Sequence, residues 1–400
     1  MELVNPLTAF HWSEPLDILG VKMRGVPEKQ GWSFSAHGYR AALDDPTLDA
    51  DAVGRAVRKQ WRPLSAPTLE RARAEYAGKV VPDLPRYVIC ENTAICNRAC
   101  PFCSIHVVKR YDEHGNPGKL VMEWFDFYKL MSEYGQHEGH YGISLYGLGE
   151  PTLWRGKDEN GRRLDIADMV DCARTVGKFR AINVSTNADV PNLHRLLECD
   201  LDDLIISIDG MTSDVYLQNR PPSNKNQKDP FGSTMQRVHA FLEQKSRTGK
   251  AKPYTRLQII NMQSTALQIV DFIRYWIQIP GVDDIFCKNL DAMTPWLGDS
   301  VVSAEEAQIK MERVKAMPCQ HIFAVLAITA SGQFVACCHD ARSELWERLP
   351  DGRVPHIKNI SAGEWWNGPF MTMLRAEHIS GHFRKPCETC HERDPWLGNF

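Results

Sequence analysis

At about 150 residues per domain, 400 residues make two or three domains. The 43% hydrophobic and 24% charged content is that of a globular chain with ample core, which excludes intrinsic disorder and collagen-like structure. Lys plus Arg total 47 against 50 Asp plus Glu, a net charge of −3 that argues against broad nucleic-acid binding. No apolar run approaches 18 residues, and MELVNPLTAFHW lacks a basic region followed by an apolar stretch. A cytoplasmic protein without membrane or nucleic-acid partners is therefore expected.

In chain order, residues 1–84 read as a mainly helical extension. One helix runs through Val53, Val57 and Trp61, and a second follows Ser65-Ala66-Pro67. From residue 85, short apolar strands alternate with helix-length segments. The strands are Tyr87 to Cys90, Gly142 to Tyr146, Ala181 to Ser185, Leu204 to Ile208, Arg256 to Ile260 and Asp284 to Lys288. Between them lie helices at Met122 to Tyr134, Ile166 to Val176, Asn192 to Cys199, Ser233 to Gln244 and Leu267 to Ile277. This alternation implies a parallel α/β sheet, doubly wound or a partial barrel, with function at the carboxyl ends of the strands. After about residue 300 a hairpin, Phe323 to Thr329 and Gln333 to Cys337, marks a further domain over 301–400.

The twelve cysteines carry most of the functional information. Clustered cysteines in a cytosolic chain point to metal or redox sites before disulfides. Cys96, Cys100 and Cys103 have the spacing C-x-x-x-C-x-x-C in a loop just after the first strand. Three soft ligands in one loop can hold three corners of an iron–sulfur cube and leave the fourth iron open. A zinc loop with His106 as fourth ligand is the alternative.

From about residue 85 to 290 the sequence resembles the radical S-adenosylmethionine superfamily. That resemblance implies a partial (β/α)6 barrel over 85–300 and a [4Fe–4S] cluster on Cys96, Cys100 and Cys103, its open iron chelated by S-adenosylmethionine. Phe102 matches the aromatic position beside the adenine. Gly149 and Glu150 in Leu148-Gly149-Glu150-Pro151 resemble the segment that accepts from the cofactor amino group, although Leu148 replaces a family glycine. Ser185 and Asn187 after the third strand, and Ser207 and Asp209 after the fourth, resemble ribose-proximal segments. Arg220, four residues after Tyr216, resembles the arginine that pairs with the methionine carboxylate. The resemblance also implies a reductant such as flavodoxin or ferredoxin.

Cys319, Cys337, Cys387 and Cys390 form a second group, from a hairpin and a C-x-x-C knuckle. A structural zinc ribbon is one reading. The segment resembles the SPASM/twitch extension of radical S-adenosylmethionine enzymes, down to Gly332-x-x-x-x-Cys337, and that resemblance implies one auxiliary [4Fe–4S] cluster. Cys90, Cys172 and Cys199 read as packed thiols.

The last candidate is Cys287, at the carboxyl end of the sixth strand, where a thiol could return hydrogen to a substrate radical. The resulting expectation is an epimerase acting on a small hydroxylated molecule, a sugar or aminocyclitol. Alternatives are a dehydrogenase that oxidises an alcohol through the auxiliary cluster, and a maturase of a ribosomal peptide.

Overall fold

The computed structural model describes residues 16–18, 21–23, 31–37, 83–106, 110–289, 318–340, 345 and 348–390. Near the N-terminus, β1 (Leu16–Ile18) and β2 (Val21–Met23) pair antiparallel, and β3 (Gly31–Ser35) follows. The six expected core strands come next. They are β4 (Tyr87–Cys90), β5 (Gly142–Ser144), then, after the small ribbon of β6 (Gly156–Lys157) and β7 (Arg163–Leu164), β8 (Ala181–Thr186), β9 (Asp203–Ser207), β10 (Tyr254–Asn261) and β11 (Asp284–Asn289). The hairpin is β12 (Val325–Ile328) and β13 (Phe334–Val335).

The large sheet has the order β13-β12-β4-β5-β8-β9-β10-β11-β3. From β4 to β11 its strands run parallel and in chain order, the arrangement of a partial barrel. It does not close: antiparallel β13 and β3 form its two edges. Parallel pairing of β12 with β4 joins the hairpin to the core sheet.

Helices link the strands, among them α1 (Trp124–Gly135), α2 (Ile166–Thr175), α3 (Ser213–Asn219), α4 (Pro230–Arg247) and α5 (Ile269–Trp276). Asp165 and Asp168 form a capping box that starts α2 where its apolar face begins. In the C-terminal part lie α6 (His321–Ala324), α7 (Ala362–Trp366) and α8 (Pro369–Ser380). None of the helices among the described residues is long and apolar enough to cross a membrane.

Strand register separates two faces of the sheet. Val88, Ile143, Ile182, Val184, Leu204, Ile206, Leu257, Ile259 and Ile285 share one face and are fully buried. Each such side chain contributes about 1.5–3 kcal/mol of burial. The opposite face carries Ser144, Asn183, Ser185, Ser207 and Gln258, a polar lumen.

Within the N-terminal segment the described residues include three strands that the sequence reading did not place: LDI and VKM stand two residues apart as hairpin arms, and GWSFS runs along the edge of β11. The two helices expected near Val53 to Trp61 and after Ser65 lie outside the described residues.

Candidate functional site

At the carboxyl ends of β4, β5, β8 and β9 the chain surrounds an open cleft of about 610 Å³. Cys96, Cys100, Cys103, Phe102, Gly149, Glu150, Ser185, Asn187, Ser207 and Arg220 all line it. Residues up to 124 positions apart therefore meet at one place, because consecutive parallel strands deliver their terminal loops to the same edge of the sheet.

The cysteine loop is held by its backbone. Ala99 N donates to Pro221 O at 2.8 Å, Ser223 N to Asn97 O at 2.9 Å, and Glu150 N to Ile95 O at 2.9 Å. Arg98, inside the loop, is buried and pairs with Asp189 at 2.6 Å, its guanidinium over the Tyr216 ring. Burial pushes the Cys96 thiol up to about 12 and the Cys100 thiol up to about 11. A metal binding these groups must displace their protons. The side chain of His106, the zinc alternative, lies outside the described residues.

Gly149 is required by close approach: a Cβ there would lie 2.1 Å from the Thr93 carbonyl oxygen. This contact seats Glu150, which is 2% exposed. Its Oε1 accepts from Thr152 N at 3.2 Å, Thr152 Oγ1 at 2.5 Å and Thr186 Oγ1 at 2.6 Å. Oε2 accepts from Asn187 N at 2.7 Å. Burial pushes the Glu150 carboxyl up, and these donors pull it back. Oε2, with one donor, retains capacity for a cation in the cleft.

Arg220 stands opposite. Burial works against its charge, but Asp209 and Cys100 beside it outweigh burial and hold the guanidinium charged. Its Nε donates to Asp209 Oδ2 at 2.6 Å, leaving the terminal nitrogens for the cleft. Asp209 is completely buried and is not among the cleft-lining residues; Ile260 N donates to its other oxygen at 2.8 Å. Asp209 thus holds Arg220 from behind the cleft wall.

Cys287 is the clear correction. It pairs with Ile259 in register, so it projects from the apolar face of the sheet, opposite Ser185 and Ser207. It is fully buried in the hydrophobic core, and burial raises its thiol far above the usual range. Being at the end of the right strand does not bring it to the cleft; the adjacent Lys288 has the lumen parity.

Arg98 and Tyr146, which the sequence did not mark, line the same cleft. Tyr146 follows β5 by two residues, so strand parity alone could have placed it on the lumen face.

The second cysteine group also converges. Cys319 precedes α6, Cys337 follows β13, and Cys387 and Cys390 bound a single turn. Burial pushes the Cys319 thiol well up, with Cys337, Cys390 and Cys387 near enough to raise it further. Cys319 N donates to His378 Nδ1 at 3.1 Å. Gly332 turns the hairpin at φ +91°, and a Cβ there would meet the His356 ring at 2.9 Å. Four thiols and an apolar surround suit a fully ligated iron–sulfur cluster.

Residues 319–391 match the SPASM family, an iron–sulfur cluster-binding domain. The chain thus carries an iron–sulfur cluster-binding domain of the SPASM family beside an open parallel α/β core with a three-cysteine loop. Similar solved structures include BtrN in complex with AdoMet and 2-DOIA, at 16% identity and TM-score 0.45, covering 76% of this chain and 92% of that one. Another is Streptococcus suis SuiB bound to precursor peptide SuiA, at 12% identity and TM-score 0.49, covering 88% and 77%. A third is anSMEcpe with bound AdoMet, at 12% identity and TM-score 0.48, covering 76% and 83%. None of the curated proteins matches the chain in sequence.

Proposed function

We propose that the chain is a radical S-adenosylmethionine dehydrogenase acting on a small hydroxylated substrate. The observation that carries this reading is the convergence of Cys96, Cys100 and Cys103 with Glu150 and Arg220 on one cleft. The three thiols would hold a four-iron cluster and Cys319, Cys337, Cys387 and Cys390 the auxiliary one. When bound, these groups and S-adenosylmethionine would supply a 5′-deoxyadenosyl radical for hydrogen abstraction and an acceptor for the one electron that the resulting substrate radical gives up as it loses a proton.

The chain's own residues bind and orient. Glu150 Oε2 takes the amino group of the cofactor, and the terminal nitrogens of Arg220, held by Asp209, take its carboxylate. Ser185, Asn187 and Ser207 present polar groups along the same cleft, and Phe102 in its wall would meet the adenine. Ser144, Asn183 and Gln258 extend the polar lumen below, a surface suited to hydroxyl groups of a sugar or aminocyclitol. Oxidation is preferred to epimerisation because the Cys287 thiol faces the core, so it is not placed to return hydrogen.

A ribosomal peptide is the second reading: related maturases often carry a peptide-binding domain with N-terminal strands, and here β1 and β2 pair as a hairpin while β3 joins the core sheet at β11. Anaerobic turnover of aminocyclitols and peptides in deuterium oxide separates these readings. A small-molecule product lighter than its substrate by one molecule of hydrogen is expected. A product of unchanged connectivity with deuterium at an inverted carbon would overturn the dehydrogenase reading.

A further inference from the structure

His321, Cys338 and His339 belong to neither cysteine group. His321 opens α6, two residues after Cys319, while Cys338 and His339 follow β13. Their donor atoms, one nitrogen from each ring and the Cys338 sulfur, all lie within 4.8 Å of one another. Among the described residues no other three His, Cys, Asp or Glu side chains meet this closely. The distinction matters physically. A four-iron cube keeps its thiolates apart on separate irons, and neither the first nor the second cysteine group is drawn in so tightly. A single ion instead needs its donors in contact: bonds of about 2.0–2.3 Å in a tetrahedron place them roughly 3.3–3.8 Å apart. The trio's donor atoms, within 4.8 Å of one another, stand near that spacing.

We propose that His321, Cys338 and His339 form a mononuclear site for a borderline divalent transition metal, Zn²⁺, separate from both clusters. Two imidazoles and a thiolate are the donor set such ions select over hard cations. The two rings are already edge to face, with centroids 5.2 Å apart. The frame is fixed from outside the site: Arg375 Nε donates to Ile322 O at 2.8 Å, and His378 receives the Cys319 amide. Three protein donors leave one position for water or a substrate oxygen.

The placement suggests what that open position meets. Cys338 hydrogen-bonds with Cys337 of the second group and acts electrostatically on Tyr146 of the cleft wall. The site therefore neighbours both the second set of thiols and the Tyr146 wall of the cleft, and an ion there could orient a substrate hydroxyl or carboxylate. Cofactor cleavage does not depend on it, so the two proposals fail independently.

The test uses protein loaded with both clusters, incubated with zinc chloride and desalted. Retention of one zinc per chain is expected, with an absorption-edge fine structure of two nitrogens and one sulfur. The His321→Gln/His339→Gln variant should lose that zinc while keeping its iron. Cys338→Ser, a smaller change that spares both rings, should weaken zinc retention at least tenfold with iron again unchanged. Equal zinc in the double variant, or an all-sulfur shell marking entry into a cysteine group, would overturn the assignment.

Discussion

Replacing Arg220 by Met separates the structural and binding roles of the cleft's cation. Asp209 is fully buried, and one of its oxygens depends on Arg220 Nε at 2.6 Å; only the other keeps a donor, Ile260 N at 2.8 Å. Removing the guanidinium strands a charge in the core, a loss of about 3–5 kcal/mol. Adding Asp209→Asn removes that charge while the Ile260 contact survives, so the double variant should recover about 2 kcal/mol or more of the loss. S-adenosylmethionine affinity should not recover with it. Losing a charge-assisted hydrogen bond of about 1.5–3 kcal/mol weakens binding by roughly 10- to 150-fold. Denaturant unfolding gives the first quantity and calorimetry the second. A single variant within about 0.5 kcal/mol of wild type, or a double variant that binds the cofactor unchanged, would refute the reasoning.

Further expectations follow from the two thiol groups and from Cys287. Anaerobic reconstitution should give about eight irons per chain, falling to about four when Cys96, Cys100 and Cys103 are replaced together, as iron analysis would show. Replacing Cys387 and Cys390 should also leave about four irons, with cofactor cleavage still measurable. In the metal-free protein, the Cys100 thiol stays protonated up to about 11, whereas an unfolded thiol ionises near 9.0. The unfolded state then holds fewer protons, so apo-protein stability should fall as pH rises through that window. The cluster-loaded protein, its thiolates already ligated, should lack this slope. Cys287→Ala removes a small buried side chain and should lower stability by about 1–2 kcal/mol with turnover retained; abolished product with continued 5′-deoxyadenosine formation would restore a catalytic role.

The core strands were legible because short β-branched runs such as AINVST and DLIIS are bounded by polar turns and separated by helix-length segments. The cysteine loop and Glu150 were legible for a different reason, since local spacing alone fixes them on loops after successive strands. Cys287 shows where this stops. Its strand was correctly placed, but the face depends on register, and a shift of one residue exchanges core for lumen. Arg98 and Asp189 lie 91 positions apart, and nothing local marks their pairing. Nor does anything local tie Glu91 to the C-terminal hairpin, although its carboxylate bonds Arg110 and accepts from Ala330 N at 2.9 Å. The N-terminal strands escaped because three-residue arms are too short for alternation to register.

On the function proposed here, the Cys96 loop and its cleft cleave S-adenosylmethionine reductively. The direct measurement is 5′-deoxyadenosine formed by the anaerobically reconstituted chain with a strong one-electron reductant, set beside the Cys96, Cys100 and Cys103 triple variant. The wild-type chain should form 5′-deoxyadenosine and the triple variant, which keeps the iron of its second group, none. Absence of 5′-deoxyadenosine from wild-type protein carrying both clusters, or equal amounts from the triple variant, would contradict that function.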